Sequence, residues 1–485
     1  MATAQNHWRS LENRLRGRLI LPIDGALYNE ARSVFNARID QHPSAIAYCA
    51  NHEDVVACVR FCAANDLKAV CRCGGHGALG FSTRSGQLVI DMTALQTIGV
   101  DLRRKTVTVG GGAFWGQVDL ATYPRGYAAP GGGCPQVGVG GLAQGGGFGP
   151  ISRSHGLTID NLIEAEVVTS RHGRLTKVSE TEEPDLFWAL RGGGGGNFGA
   201  VTSFTFRLHP IDHALTAGSL IYAWGDDTRK MFQFYRDWMR SDGDARLTLL
   251  PIVGFDIQAS PISLLSVFYN GDWVEGYEYL SKVFSDFRAP TAVNTSLGPT
   301  TLPSFAATDS TTAWPGLTQY WKSGFLSNDF PDAAIDTMMA WFERAPKPAQ
   351  VARAASRLAR RALGDAPRAP DLTFGFIESL GGRIRDKRPE ETAFYWRDNL
   401  FSFTFIGVCE RSDAALSHEL ELWADDFRRA MEGFLTGAVY VNYMQEGLGD
   451  WKRAYYGGNV ERLCAIKKEY DPLHMFSFPQ DLAQP

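Results

Sequence analysis

The sequence predicts a two-domain α+β protein whose first domain is built from both ends of the chain, and three features carry that prediction. Glycine is concentrated between residues 74 and 199, and the texture turns aromatic and helical after His209-Pro210. A glycine- and tyrosine-rich tail resumes at Ala438. On this division residues 1–210 and 437–485 form one domain. Residues 211–436 form the other, an antiparallel sheet covered by helices. A chain of 485 residues exceeds one ordinary domain and can bury a large core.

The elements follow in order. Residues 45–49 are short and apolar, as a buried strand requires. Residues 53–65 place Val55, Val56, Val59 and Phe61 at helical spacing. A strand over 68–73 runs into Gly74-Gly75-His76, and further strands fall at 88–91 and 106–109. Residues 110–149 then hold fifteen glycines. Beyond them, 161–169 and 174–178 read as a hairpin turning at His172-Gly173, and the alternating run 200–208 as a strand. In the middle region amphipathic helices are predicted over 229–239, 333–342 and 412–431, alternating with strands. Residues 344–368 carry seven cations against Asp365 alone. They read either as a docking helix for an acidic partner or as a helix with one solvated, charged face.

Composition narrows the function classes. Hydrophobic residues make up 44% and charged residues 21%, no apolar run is long enough to span a bilayer, and the net charge is -5. Nothing here favours a nucleic acid or a membrane as partner. The eight cysteines show no regular disulfide spacing, and no His or Cys pairs lie at zinc-ligand spacing, so no metal is expected. Residues 1–19 lack the apolar core of a secretory signal, which makes a reduced, cytoplasmic protein the default, as monomer or homodimer.

Glycine admits φ > 0 and lets backbone N–H groups approach a ligand that a Cβ would hold off. Successive N–H groups in such turns suit an anion such as a pyrophosphate. Gly74-Gly75-His76-Gly77-Ala78-Leu79-Gly80, after a strand, fits that use, although tight turns explain glycine richness equally well. The run Gly192 to Gly196 is not a Rossmann fingerprint, because Phe198-Gly199 leads into a strand where that unit needs a helix. His76 and Cys134 stand out, each in a glycine loop with almost no local side chains to pack against. A thiol on the bare backbone of Gly131-Gly132-Gly133-Cys134-Pro135 reads as a nucleophile or a cofactor anchor.

The string Cys71-Arg72-Cys73-Gly74-Gly75-His76 resembles the flavin-attachment loop of the vanillyl-alcohol-oxidase superfamily, whose FAD-binding fold is of the PCMH type. Within it, residues 133–141 (GCPQVGVGG), 145–149 (GGGFG), 156–161 (GLTIDN) and 185–199 (DLFWALRGGGGGNFG) resemble the berberine-bridge-enzyme-like oxidases. So do Tyr440-Val441-Asn442-Tyr443, Tyr456-Gly457 and Tyr470-Asp471-Pro472. The resemblance covers residues 40–210 and 438–482. The middle matches loosely, through Trp321-Lys322 and Leu380-Gly381-Gly382. Ala78 and Leu142 depart from it, standing where a small hydroxyl residue and a histidine are common.

This resemblance implies FAD held covalently at two points, the imidazole of His76 on the flavin 8α carbon and the sulfur of Cys134 on C6. It implies a cradle from Arg72, Cys73, Gly74, Gly75, Gly77, Ala78, Gly80 and Phe81 in the first loop. Gly133, Val137, Gly138, Gly140, Gly141, Gly145, Gly146 and Gly149 follow in the second. Gly156, Leu157, Asp160, Asn161, Val167, Gly196, Asn197, Phe198, Gly199, Val201 and Asn442 complete it. Tyr443 is implied as the catalytic base with Tyr440 beside the flavin, and the environment must lower the Tyr443 pKa or couple its deprotonation to hydride transfer. Glu378 and Arg383, flanking Gly381-Gly382, are expected to face a small-molecule substrate or to end a solvated strand. The expected reaction is oxidation of an alcohol, lactol or similar ring position of a natural product or carbohydrate, with O2 as acceptor yielding H2O2. The alternatives are a dehydrogenase of the same fold using another acceptor, and a flavin-binding protein without turnover.

Overall fold

The computed structural model describes residues 8–255, 260–309, 315–346 and 372–484. From residue 347 onward the basic segment 344–368 lies outside the described residues.

The first sheet has the order β1 (Arg18–Ile20), β2 (Ala45–Tyr48), β4 (Leu88–Asp91), β3 (Ala69–Arg72). The β2–β4 and β3–β4 pairs are parallel, and their residues are almost wholly buried, which is why these strands read as continuous apolar runs. The helix His52–Ala64 crosses between β2 and β3 and is N-capped by Asn51, whose side chain accepts from Asp54 N at 3.0 Å.

A second, antiparallel sheet joins β5 (Ile98–Asp101), β6 (Thr106–Gly110), β9 (Ala200–Arg207), β7 (Leu162–Val168) and β8 (Leu175–Ser179) in that spatial order. The predicted hairpin is β7–β8, with Gly173 in the left-handed region at φ 55°. The glycines 192–196 do lead into a strand, β9. Ile98–Asp101 escapes sequence reasoning because its residues alternate between intermediate and exposed and show little apolar signal. The helix Val139–Gln144 escapes it because three of the residues from 138 to 141 are glycine.

The third sheet is eight-stranded, and every one of its pairs is antiparallel. Its long strands are β10 (Leu215–Tyr222), β11 (Leu247–Phe255), β12 (Pro261–Asp272), β13 (Thr318–Leu326), β14 (Leu372–Ser379) and β15 (Phe401–Cys409). Helices Asp226–Arg240, Asp332–Glu343 and Ala414–Met431 cover one face. Met231, Phe234, Trp238, Phe342, Trp423 and Phe427 pack there against Ile377, Phe403 and Phe405. The opposite face presents Leu250, Ile252, Phe374, Phe376, Ile406 and Val408, with Trp321 and Tyr443 against them. The two-residue period of β14 thus puts Phe374, Phe376 and Glu378 on one side and Ile377 on the other.

Arg153 and Asn36 are among the side chains that join this sheet to the rest, Asn36 donating to Gln319 O at 2.9 Å. Arg153 is 1% exposed; its guanidinium donates to the carbonyls of Leu247 (2.8 Å), Leu380 (2.5 Å) and Gly243 (3.1 Å) and lies over Trp238. The C-terminal residues return to the first two sheets: Lys467 Nζ donates to Asn197 O and Asp471, and Met475 O accepts from Ala69 N. No disulfide links the eight cysteines, no metal-binding cluster occurs among the described residues, and no helix of theirs is long and apolar enough to cross a membrane.

Candidate active site

A cavity of about 300 Å3 opens where the glycine loops meet the uncovered face of the large sheet. One wall is backbone. Cys73, Gly74, Gly75, His76, Gly77, Ala78, Gly80 and Phe81 line it from the first loop, Gly133, Cys134, Val137, Gly138, Gly140 and Gly141 from the second, and Gly196 from the third. The first two loops lie back to back, so closely that a Cβ on Gly138 would stand 2.5 Å from Gly74 N. A Cβ on Gly77, Gly133 or Gly141 would instead point into the open cavity, leaving a cradle that side chains would fill.

His76 and Cys134 both line this cavity, and neither sits on a bare loop. The His76 ring stacks on Phe35 at 3.7 Å between centroids, and burial lowers its pKa to about 4, so the imidazole is neutral. Its Nε2 is buried without a hydrogen-bond partner, the kind of polar atom a bound group would satisfy. Cys134 is 7% exposed, and its thiol donates to Gln136 Oε1 at 3.1 Å.

The opposite wall is made of side chains. Trp321, Phe376, Leu250 and Glu378 come from the large sheet, and Tyr440, Asn442 and Tyr443 from the returning tail. Tyr443 Oη donates to Glu378 Oε1 at 2.8 Å, and Ser402, paired opposite Glu378 in the sheet, donates to Oε2 at 3.1 Å. Burial raises the Glu378 pKa to about 8, despite both hydrogen bonds. The expected lowering of the Tyr443 pKa is not what this environment produces. Burial, then the Glu378 carboxylate beside it, push the phenol well above its usual value. The chemistry open to such a pair is passage of a proton through the phenol oxygen to the carboxylate, with no free phenolate. Tyr440 Oη accepts from Gly147 N at 2.8 Å and from Asn442 Nδ2 at 2.7 Å, and its ring stands edge-on to Tyr443.

Several predicted cradle residues lie outside the cavity because the fold uses them as scaffold. Arg72 is buried against Asp91, and Asp160 is held by Arg397 at 2.8 Å. Asn161 donates to the carbonyls of His155 and Leu157, and Asn197 to that of Gly193. Leu157, Val167, Phe198 and Val201 belong to the core. Gly145 packs against Asn442, Gly146 against Phe394 and Tyr440, and Gly199 against Val168 O, while Gly156 sits against Asp160 and Gly149 against the Gly131–Gly133 backbone. Of its two expected places Arg383 takes the solvated one: it is exposed, pairs with Asp386 at 3.4 Å and borders a separate polar cleft near His155 and His209, not the cavity. Sequence reasoning missed Phe376, Leu250 and Gln144, and gave Trp321 no role at the site. Period-two alternation in β14 could have found Phe376 beside Glu378. Nothing local marks Leu250.

An FAD binding domain model matches residues 43–179, and a berberine and berberine-like model matches residues 439–482. An FAD-linked oxidoreductase of Bacillus subtilis is 29% identical over 476 residues, 97% of this chain and 98% of the relative. The xylooligosaccharide oxidase of Thermothelomyces thermophilus is 28% identical over 465 residues, 92% of this chain and 88% of that one. Among solved structures, the berberine bridge enzyme of Eschscholzia californica superposes with a TM-score of 0.81 at 21% identity, over 98% of both chains.

Proposed function

We propose that this chain, which matches an FAD binding domain and a berberine-like C-terminal segment, is an FAD-linked oxidoreductase whose cavity oxidises an alcohol or lactol carried on a ring, in a natural product or a carbohydrate. The observation that carries this reading is the Tyr443–Glu378 pair opening onto the same cavity as His76 and Cys134. The residues present fit the flavin: an unpartnered buried nitrogen on His76, a thiol on Cys134, and between them a cradle of backbone. We assign His76 and Cys134 as its two covalent anchors. FAD, when bound, supplies a two-electron acceptor that takes a hydride, with O2 as the final oxidant and H2O2 as the product.

The chain's own groups handle the rest. Trp321 and Phe376 offer faces on which a ring stacks, placing its hydroxyl toward Tyr443. Tyr443 takes the hydroxyl proton as its own moves to Glu378, so neither oxygen is left as an isolated buried charge. Asn442 and the N–H of Gly147 fix Tyr440, whose ring supports that of Tyr443. We divide the chain accordingly, with residues 1–210 and 437–485 holding the flavin and 211–436 the substrate.

Purified enzyme mixed anaerobically with a panel of ring alcohols and lactols, xylobiose among them, should lose its flavin absorbance with at least one member. Admitting air should restore the colour and release H2O2 stoichiometrically. Bleaching by none of the panel would defeat the reading, and recovery only with an added electron carrier would replace O2 as acceptor.

A further inference from the structure

A second chamber of about 80 Å3 lies behind Glu378. It shares Gly133, Phe148, Leu250 and Glu378 with the main cavity, then runs beneath the sheet toward Phe268 and Phe305. Thr248 and Ser266 line it from β11 and β12. Thr248 Oγ1 donates to Pro150 O at 2.9 Å, which leaves its lone pairs to accept. The space holds a few waters, and hydroxyls and a carboxyl supply the polar partners that buried water needs.

Glu378 therefore faces two spaces, with Tyr443 donating to Oε1 and Ser402 to Oε2, whose second lone pair is left for water. Resting on the proposed reaction, we infer that the chamber is the proton exit of the site: water held by Glu378, Thr248 and Ser266 receives the proton that Tyr443 delivers. The step moves no electrons. The hydroxyl proton goes to Tyr443 Oη, the phenol's proton to Glu378 Oε1, and the carboxyl releases a proton to chamber water, which returns it to solvent. The relay starts from the ionised carboxyl, and a group that burial raises to about 8 can both take a proton from Tyr443 and give it up to water near that pH. The main cavity cannot serve while substrate fills it.

Infrared spectroscopy tests this on FAD-loaded, full-length enzyme at pH 6 in saturating tetrahydropyran, a ring ether that fills the main cavity and has no hydroxyl to oxidise. The protonated Glu378 carboxyl should give a C=O band that disappears in Glu378→Gln and shifts within the mixing time on transfer to D2O. Ser266→Leu fills the chamber and should slow that shift at least tenfold. If that variant does not fold, Thr248→Val, which keeps the shape and removes the hydroxyl, should slow it severalfold. A Glu378 band absent in the wild type, or one that exchanges equally fast in the folded variant, would overturn the proposal. Normal exchange in an enzyme that no ring alcohol reduces would leave the exit standing and defeat only the proposed reaction.

Discussion

The two walls of the cavity are made in opposite ways. On one side, loops around residues 74–80 and 133–141 present backbone, and their glycines permit contacts that a single methyl group would break. On the other, Leu250, Trp321, Phe376 and Glu378 reach in from strands of a sheet whose geometry tolerates many side chains. A backbone wall can hold one cofactor and little else, whereas a side-chain wall can be rewritten residue by residue without touching the cradle. The difference predicts that cradle substitutions act on flavin retention and sheet substitutions on reaction and affinity.

The largest effect belongs to the anchors. Acid-precipitated, washed wild-type protein should stay yellow, as should His76→Ala and Cys134→Ala singly, while the double variant should lose all its flavin to acid. A colourless wild-type pellet would remove covalent attachment from the reading. Next comes Tyr443→Phe, which keeps the ring packed against Trp321 and Phe376 and deletes only the hydroxyl. Anaerobic flavin reduction should slow at least about a hundredfold, or roughly 2.7 kcal/mol of barrier, with flavin loading unchanged. Near-normal reduction would mean that the proton leaves by another group.

Glu378→Gln should cost about tenfold in the same measurement and also change its pH dependence. In the wild type the rate should rise with pH until Glu378 ionises near pH 8, a rise the variant should lack. Stability has the opposite slope. A carboxyl raised from 4.5 to about 8 by folding contributes stability that is fully present below pH 4.5 and lost as pH rises through 8. The melting temperature of the wild type should therefore fall relative to Glu378→Gln across that window, and parallel curves would show that Glu378 titrates normally. The smallest effect is that of Trp321→Leu: KM should rise about three- to tenfold as a stacking face is lost, with acid-stable flavin intact. Flavin loss in that variant would dissolve the distinction between the walls.

This asymmetry also explains what can be read from the sequence. The cradle is local: Gly74 to Gly80 and Gly131 to Gly141 carry their purpose within a few residues, so His76 and Cys134 are conspicuous from the order of amino acids alone. Helices such as Asp332–Glu343 and Ala414–Met431 are legible from their period. The sheet wall is not local. Leu250, Trp321 and Phe376 are 71 and 55 residues apart in the chain, and each looks like ordinary core until strand pairing sets them on one face of the sheet. Glu378 is legible beside its glycine pair, yet its bond to Tyr443 spans 65 residues and no spacing rule predicts it. Which of its two expected places Arg383 takes is undecidable from sequence for the same reason: the chain turns at Gly381 and Gly382, both at positive φ, and carries it out to solvent.

The buried Arg153 has a mechanical consequence. Its guanidinium donates to carbonyls at the ends of β11 and β14 and at Gly243, and to Met239 Sδ. Rocking the sheet away from the glycine loops would strand a cation among apolar side chains, at a cost of several kcal/mol. Arg153 thus bolts the helix Ser152–His155, which follows the second glycine loop, to the large sheet.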